Sequence, residues 1–577
     1  MRFFYTAFFL LSLCACQSSQ TPTPPQTPSD ATEKNSESAA SVVSDPSEKN
    51  SGTHTFQAAI NVKDLATHIQ TLASDEYEGR SPGTMGERMT TTYLKTELER
   101  LGLKPANGDS YFQAVPMVET RVQPGASLTL SFKDKTLTPE FAKGMVIGTR
   151  SGANTINITN SDLLFMGYGV SAPEYQWDDY AGVDVKGKTL VVLINDPGFI
   201  RKDPDLFKGN TMTYYGRWTY KFEEAARRGA AGVMIIHDTE AASYGWEVIQ
   251  SGWTRPSFDL PADESSEPRL SFQGWIHTDT AKEMFAAAGH DFEKLRVAAD
   301  QRGFKSVELG GQASVSLKTV TQKTSSNNVV ALLPGTESPE EAILYMAHWD
   351  HLGKIDSAPD NDLIFNGATD NASGVSGILE IAAAFAQQDV KPKRSILFLF
   401  TTLEESGLLG SLYFSNHPTL PLKNIVAGIN LDSLAMRGRA KDVAVTGYGQ
   451  SSLDALLAEQ AKTQDRIVVA EPKPEAGYYF RSDHFNFARK GVPSLYARAG
   501  FDLREGGVEA GKAAAADYTT KRYHQTGDEF DPNWDLSGAV EDLTLFYQLG
   551  NHLAQNSERP QWSADSEFRA ADEARMK

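Results

Sequence analysis

The stretch Ile396–Ser411, "ILFLFTTLEESGLLGS", is an apolar run that stops at two adjacent glutamates, Glu404 and Glu405, and then turns away through glycine. A continuous apolar run bounded by polar residues is the pattern of a strand buried on both faces. Two carboxylates that repel each other at its end suit a solvated ion-pair site poorly once the neighbouring segments are read alongside. "AILYMAHWDHLG" ends in His348 and Asp350, and "NIVAGINLDS" ends in Asp432. "FNGATDNASG" places Asp370 in a loop that opens a helix, whose apolar stripe is Val375, Ile378, Leu379, Ala382 and Phe385. "NNVVALLPG" and "GVPSLYARAG" are further buried-type strands. From Asn327 onward strands and helices alternate, which predicts an α/β fold with a mostly parallel central sheet flanked by helices.

In open α/β sheets, ligands sit beyond the carboxyl ends of the strands. Three strands delivering histidine and acidic side chains to that edge would create buried charge without compensation. Divalent cations supply what is missing. Histidine, aspartate and glutamate without thiolate suit zinc, and also manganese or cobalt. One aspartate shared between two ions would make a two-metal hydrolytic arrangement.

The rest of the chain sets the context. At 577 residues it exceeds the size at which a single core stops growing, ~250–300 residues. A formal net charge of −19 argues against a nucleic-acid partner, which calls for a basic face. Arg2, the apolar "FFYTAFFLLSL" and "LCAC" (Leu13–Cys16) have the form of a secretory signal ending in the lipobox of bacterial lipoproteins. Cleavage before Cys16 would leave a lipid anchor there, and Gln17 after it suggests the outer membrane, facing periplasm or exterior. Residues 17–55 are rich in Ser, Thr, Pro, Asn and Glu and have little to bury, so they read as a flexible tether. "GERMTTTYLKTELERLGLKP" places Met89, Tyr93, Leu94, Leu98 and Leu101 on one helical stripe, with Gly102 at the stop. Between about 155 and 310 the texture changes to a separate α/β unit. There "GVDVKGKT" (Gly182–Thr189) matches the phosphate-loop pattern, but it opens a strand rather than a helix, so it reads as a turn and no nucleotide is expected.

The order His348-Trp349-Asp350, Asp370 in "DNASG", Glu404-Glu405, Asp432 and His524 in "RYHQTGDEFD" resembles the co-catalytic zinc exopeptidases related to bacterial leucyl aminopeptidases and glutamate carboxypeptidase II. "LASDEYEGRSPGTMGER" (Leu72–Arg88) and "YYFRSDHFNFARKGVPSL" (Tyr478–Leu495) also resemble family segments. The 155–310 unit resembles the protease-associated domain carried by many members. These readings divide the chain into a signal peptide (1–15), a lipidated cysteine and disordered linker (16–55), and an N-terminal part of the peptidase domain (56–150). A protease-associated insertion (151–312), the main catalytic domain (313–556) and a C-terminal tail (557–577) complete the chain.

The resemblance implies two zinc ions bridged by Asp370, with His348 and Asp432 completing one site and Glu405 and His524 the other. It implies that Glu404 is the general base, and that Asp350 holds the His348 ring in the ligating tautomer. Neighbouring side chains cannot easily reach one ion, so the two glutamates divide the work. The substrates implied are peptides, with an aminopeptidase as the first reading and a carboxypeptidase or dipeptidase as the alternative. A lid-domain amidohydrolase places its extra domain between the Glu-Glu motif and the last histidine, whereas here only 92 positions separate Asp432 from His524. A non-catalytic receptor-like module is the remaining alternative, opposed by the full ligand set. His351, His484 and Asp528 are expected to support the site rather than ligate, and Tyr478, Tyr479 and Arg481 are candidates for the pocket border.

Overall fold

The computed structural model describes residues 54–264, 268–355, 363–564 and 566–577. The signal, the Cys16 anchor and all but the last two residues of the linker lie outside the described residues. No helix among the described residues is long and apolar enough to cross a membrane.

The apolar runs singled out above form the middle of a mixed sheet. Its strands are β1 (Phe112–Val122), β2 (Val307–Leu333), β3 (Ser338–His348), β4 (Arg394–Thr401), β5 (Ile425–Asn430), β6 (Asp442–Val445), β7 (Ile467–Ala470) and β8 (Ser494–Ala499). Their spatial order is β1-β2-β4-β3-β5-β8-β6-β7. The centre, β4-β3-β5-β8, is parallel. Every residue of β4 and β5 is buried, as the unbroken apolar sequences require when helices cover both faces. Register fixes the functional edge: His348 lies opposite Thr401, Met346 opposite Asn430, and Asn430 opposite Tyr496. The carboxyl ends of four strands therefore come out together.

Helices Val62–Leu72, Met85–Arg100, Ser373–Gln387 and Ser537–Gln555 place their buried faces in a core with Tyr345, Phe398 and Phe400. The stripe expected on Met85–Arg100 packs there through Leu94 and Leu98, with Met89, Tyr93 and Leu101 at its margin. Gly102 ends that helix in the left-handed region at φ 72°, a conformation that glycine adopts without a Cβ penalty.

A second sheet is built around parallel strands Thr155–Phe165, Thr189–Leu193, Gly232–Ile236 and Phe272–Ile276. It also draws in Ser127–Ser131 and Met145–Gly148, which precede position 151. Strand β2 passes through both sheets: its first half pairs with Thr155–Phe165 and its second with β1. No linker marks the end of the 151–312 segment, because one continuous strand crosses it. Lys188 is the last residue of a turn whose Gly187 has φ 73°, and Thr189 starts a strand, so "GVDVKGKT" has a turn where phosphate binding requires a helix N-terminus.

The segment read as a tail, 557–577, packs back onto the fold. Trp562 and Phe568 join Tyr479, Phe480 and Phe485 in a small core. Arg394, only 4% exposed at the start of β4, donates to the carbonyls of Leu553, Asn556, Ser557 and Glu558, at and just beyond the end of helix Ser537–Gln555, and to Glu341. Helix ends leave carbonyls without partners, and this guanidinium takes them up. Arg394→Met should therefore lose ~3 kcal/mol of stability in urea unfolding, since several buried carbonyls are left without a donor; an unchanged midpoint would show that the clamp contributes nothing.

Candidate metal centre

Each side chain at the functional edge is set by its local chain path. His348 ends β3, and Asp432 lies two residues beyond β5. Glu404 and Glu405 come after β4 through Leu403, whose φ of 56° turns the chain sharply. Ser433 after Asp432 has φ 61°, and His524 itself has φ 56°. Non-glycine residues in this region cost about 1–2 kcal/mol each, and such strain gathers at functional sites.

The Asp370 loop (Ala368–Ala372) is held from two sides. Asp528 accepts the main-chain N–H groups of Thr369 and Asp370. Asn371 accepts from Gly374 N at 2.9 Å and Ser433 N at 3.1 Å, and donates to Leu431 O at 3.0 Å. One amide thus fastens the Asp370 loop to the turn that carries Asp432. Gly374 has to be glycine, because a Cβ there would lie 2.2 Å from Asn371 Oδ1 and 2.5 Å from Leu431 O. That is the physical content of "DNASG". Arg80, 1% exposed, completes the frame by donating to the carbonyls of Trp349, Leu72, Asn366 and Gly367. It ties the loop after His348 to the loop before Asp370.

The side chains converge on Asp370. His348 Nε2 lies 3.3 Å from Asp370 Oδ1, 3.7 Å from Asp432 Oδ1 and 3.9 Å from Glu404 Oε2. His524 Nε2 lies 3.5 Å from Asp370 Oδ2 and 3.2 Å from Glu405 Oε2. The two oxygens of one carboxylate therefore face two different donor groups. Tyr523 stacks on the His524 ring at 4.0 Å, which fixes its plane.

Asp350 is fully buried. Its carboxylate accepts the Glu404 N–H at 3.1 Å and stands 4.0 Å from His348 Nδ1, while its main-chain carbonyl lies 3.1 Å from that nitrogen. A carbonyl can only accept, so Nδ1 carries a proton, and Nε2 is the nitrogen that faces the carboxylates and would turn to a cation placed among them. The tautomer is thus set by the main chain of Asp350, and its side chain positions the Glu404 backbone.

His351 stands directly against the site. Its Nδ1 lies 2.6 Å from Glu405 Oε1, its ring meets His524 edge-on at 5.9 Å, and its buried Nε2 has no hydrogen-bond partner. His484 lies between the rings of Tyr479 and Tyr496, neither ring nitrogen bonded, and burial lowers its pKa to about 3. It is a neutral packing residue. The sequence motifs carried no sign of Arg80 beyond the segment "EYEGR" in which it lies.

The electrostatics show what the centre lacks. Burial pushes the Glu404 carboxyl well above the usual range, against the opposing charge of His348. Burial also raises Asp350, to about 7. Burial pushes Asp370 up too, but hydrogen bonds from His348 and His524 hold it well below the carboxylate range. His348, although buried, is driven to hold a proton by Glu404, Asp370 and Asp432. Without a metal, protons on histidine do the work of a cation.

The donors fit a metal. Three triads, His348/Asp370/Asp432, His348/Glu404/Glu405 and His351/Asp370/Glu405, bring one ligand atom each to within 4.8 Å of one another. Ligands at ~2.0–2.2 Å around a tetrahedral zinc stand about 3.3–3.6 Å apart. The separations at His348 and His524 are of that size.

Comparison with known proteins agrees with this geometry. Residues 328–548 match the model of Peptidase family M28. A vacuolar membrane protease of Candida tropicalis is 30% identical over 164 residues, 28% of this chain and 17% of that protein. A probable zinc metalloprotease of Pyrenophora tritici-repentis is 24% identical over 31% of this chain and 37% of its own length. The chain therefore matches well under half of the length of these relatives. Among solved structures, an aminopeptidase from Aneurinibacillus sp. strain AM-1 superposes with a TM-score of 0.50 at 17% identity, covering 87% of this chain and 95% of that one. The fold is thus of the aminopeptidase kind, and it spans nearly the whole of that structure.

Zinc added to metal-stripped protein should raise the thermal unfolding midpoint by relieving the carboxylate crowding, and Asp370→Asn should abolish the rise. A midpoint indifferent to zinc in the unaltered protein would remove the metal assignment.

Proposed function

We propose that the chain is a zinc-dependent exopeptidase of the M28 kind, an aminopeptidase that removes N-terminal residues from peptides. The observation that carries the reading is Asp370, whose two oxygens face His348 and Asp432 on one side and His524 and Glu405 on the other. The donor set fits two zinc ions, which when bound would polarise the scissile carbonyl and supply an activated water at neutral pH.

The residues of the chain account for the remaining work. Asp370 would be shared between the two ions, His348 and Asp432 would hold one, and Glu405 and His524 the other. Glu404 lines the cavity of about 1070 Å³ that also contains these groups. Its environment favours the protonated form. Cations held by the neighbouring ligands would oppose that push and favour the carboxylate, which could then take a proton in the cavity and return it to the leaving amine. The contact from Asp350 to the Glu404 N–H fixes where that carboxylate starts from. Export on a lipid anchor at Cys16 belongs to the same proposal and is supported by the "LCAC" segment.

Glu404→Gln should keep its zinc, measured by elemental analysis, and lose ~10²–10⁴-fold in kcat on aminoacyl-arylamides. Full activity in that variant would remove the base assignment. Faster cleavage of N-acetylated peptides than of free ones would transfer the reading to a carboxypeptidase.

A further inference from the structure

The wall of the cavity carries arginines that form no ion pair with the metal centre. Arg217, Arg255, Arg481 and Arg498 line the same cavity as His348, Glu404 and Asp432. Two come from the 151–312 stretch and two from the region after β7. Arg150 and Arg269, also on this wall, pair with Asp259 at 2.6 and 3.5 Å. Among the described residues, no carboxylate pairs with any of the other four.

Their nitrogens are left over. Arg217 is 8% exposed, and its Nε has no hydrogen-bond partner. All three guanidinium nitrogens of Arg255 lack partners, and the group packs 3.6 Å from the Phe365 ring centre. Arg481 donates through Nη2 to Ala242 O and Ser243 Oγ, but its Nε is unpaired. The Tyr478 ring has Arg481 at 5.1 Å and Arg498 at 5.2 Å.

A buried guanidinium stays charged at neutral pH and is costly unless paired. Burial, and next the like charge of Arg481, lower the Arg217 pKa to about 10. The largest charged influences on Arg217 are Arg481 and the phenols of Tyr244, Tyr523 and Tyr214, whereas Arg255 interacts with Glu405, and Arg498 with Asp432 and Glu471. The planar fork of a guanidinium is made for a carboxylate.

On the exopeptidase reading, we propose that these arginines select peptides bearing a carboxylate next to the scissile bond, with Arg217 and Arg481 as its principal holders. The carboxylate has two sources, an Asp or Glu side chain or the free C-terminus of a short peptide. The arginines are specificity residues and take no part in proton transfer.

The test uses zinc-loaded protein and two matched peptide sets: Glu against Gln beside the cleaved bond, and free acid against amide at the end of a dipeptide. The expected result is a kcat/KM at least ~10-fold higher for the carboxylate member of one set, which also identifies the source. Arg217→Met should raise KM for that member by ~10-fold or more, leave its neutral match within about twofold, and keep or raise the thermal midpoint. Should Arg217→Met fail to fold, Arg498→Met provides the same comparison. Millimolar glutarate should raise the midpoint of the unaltered protein and have less effect on the variant. Hydrolysis without preference in either set, or an equal loss on charged and neutral peptides, would overturn the proposal and leave the exopeptidase reading standing. No hydrolysis of any peptide would remove both.

Discussion

The structure depends on crowded buried carboxylates. Asp350, Asp370, Glu404, Glu405 and Asp432 gather at one rim of the sheet, and three imidazoles, His348, His351 and His524, lie among them. Such a group is stable only if a cation occupies its centre or protons neutralise it. The side chains by themselves favour protons on His348 and Glu404 and an ionised Asp370. A divalent cation held by these residues would replace those protons with charge fixed by geometry.

The scaffold is organised to maintain this arrangement. Parallel pairing brings the ends of β3, β4, β5 and β8 to one level. Three main-chain clamps then orient the loops beyond the strands: Arg80 on the loops around His348 and Asp370, Asp528 on the Asp370 loop, and Asn371 on the turn after Asp432. None of the three has to touch substrate. Each satisfies backbone groups in irregular chain that could not otherwise be buried. The polar cost of a site built on loops is thereby met by side chains that double as positioning devices.

Much of this was legible in the sequence because strand burial is written as unbroken apolar runs, and the residues that end a run lie at the edge. β4, β5 and the Ser373–Gln387 helix are read directly from "RSILFLFTT", "NIVAGINLD" and "GVSGILEIAAAFAQQ". His351 was expected to support the site, but its bond to Glu405 could not be read, because the chain leaves the strand at His348 and side-chain direction beyond it depends on a turn that no periodicity encodes. The extent of the second sheet escaped for a related reason: β2 has polar residues alternating along its exposed half and no glycine or proline where it passes from one sheet to the other. Of the arginine wall only Arg481 was singled out, as a candidate for the pocket border; the other members lie far apart in sequence and meet only once both sheets are in place. Arg80 could be found only by asking which cation satisfies the carbonyls of two loops.

The central claim is that Asp370 is shared between two cations. Anomalous diffraction from zinc-loaded crystals at the zinc edge tests it directly. Two peaks should flank the Asp370 carboxylate, one bordered by His348 and Asp432 and the other by Glu405 and His524. A single peak, or peaks that do not touch Asp370, would contradict it.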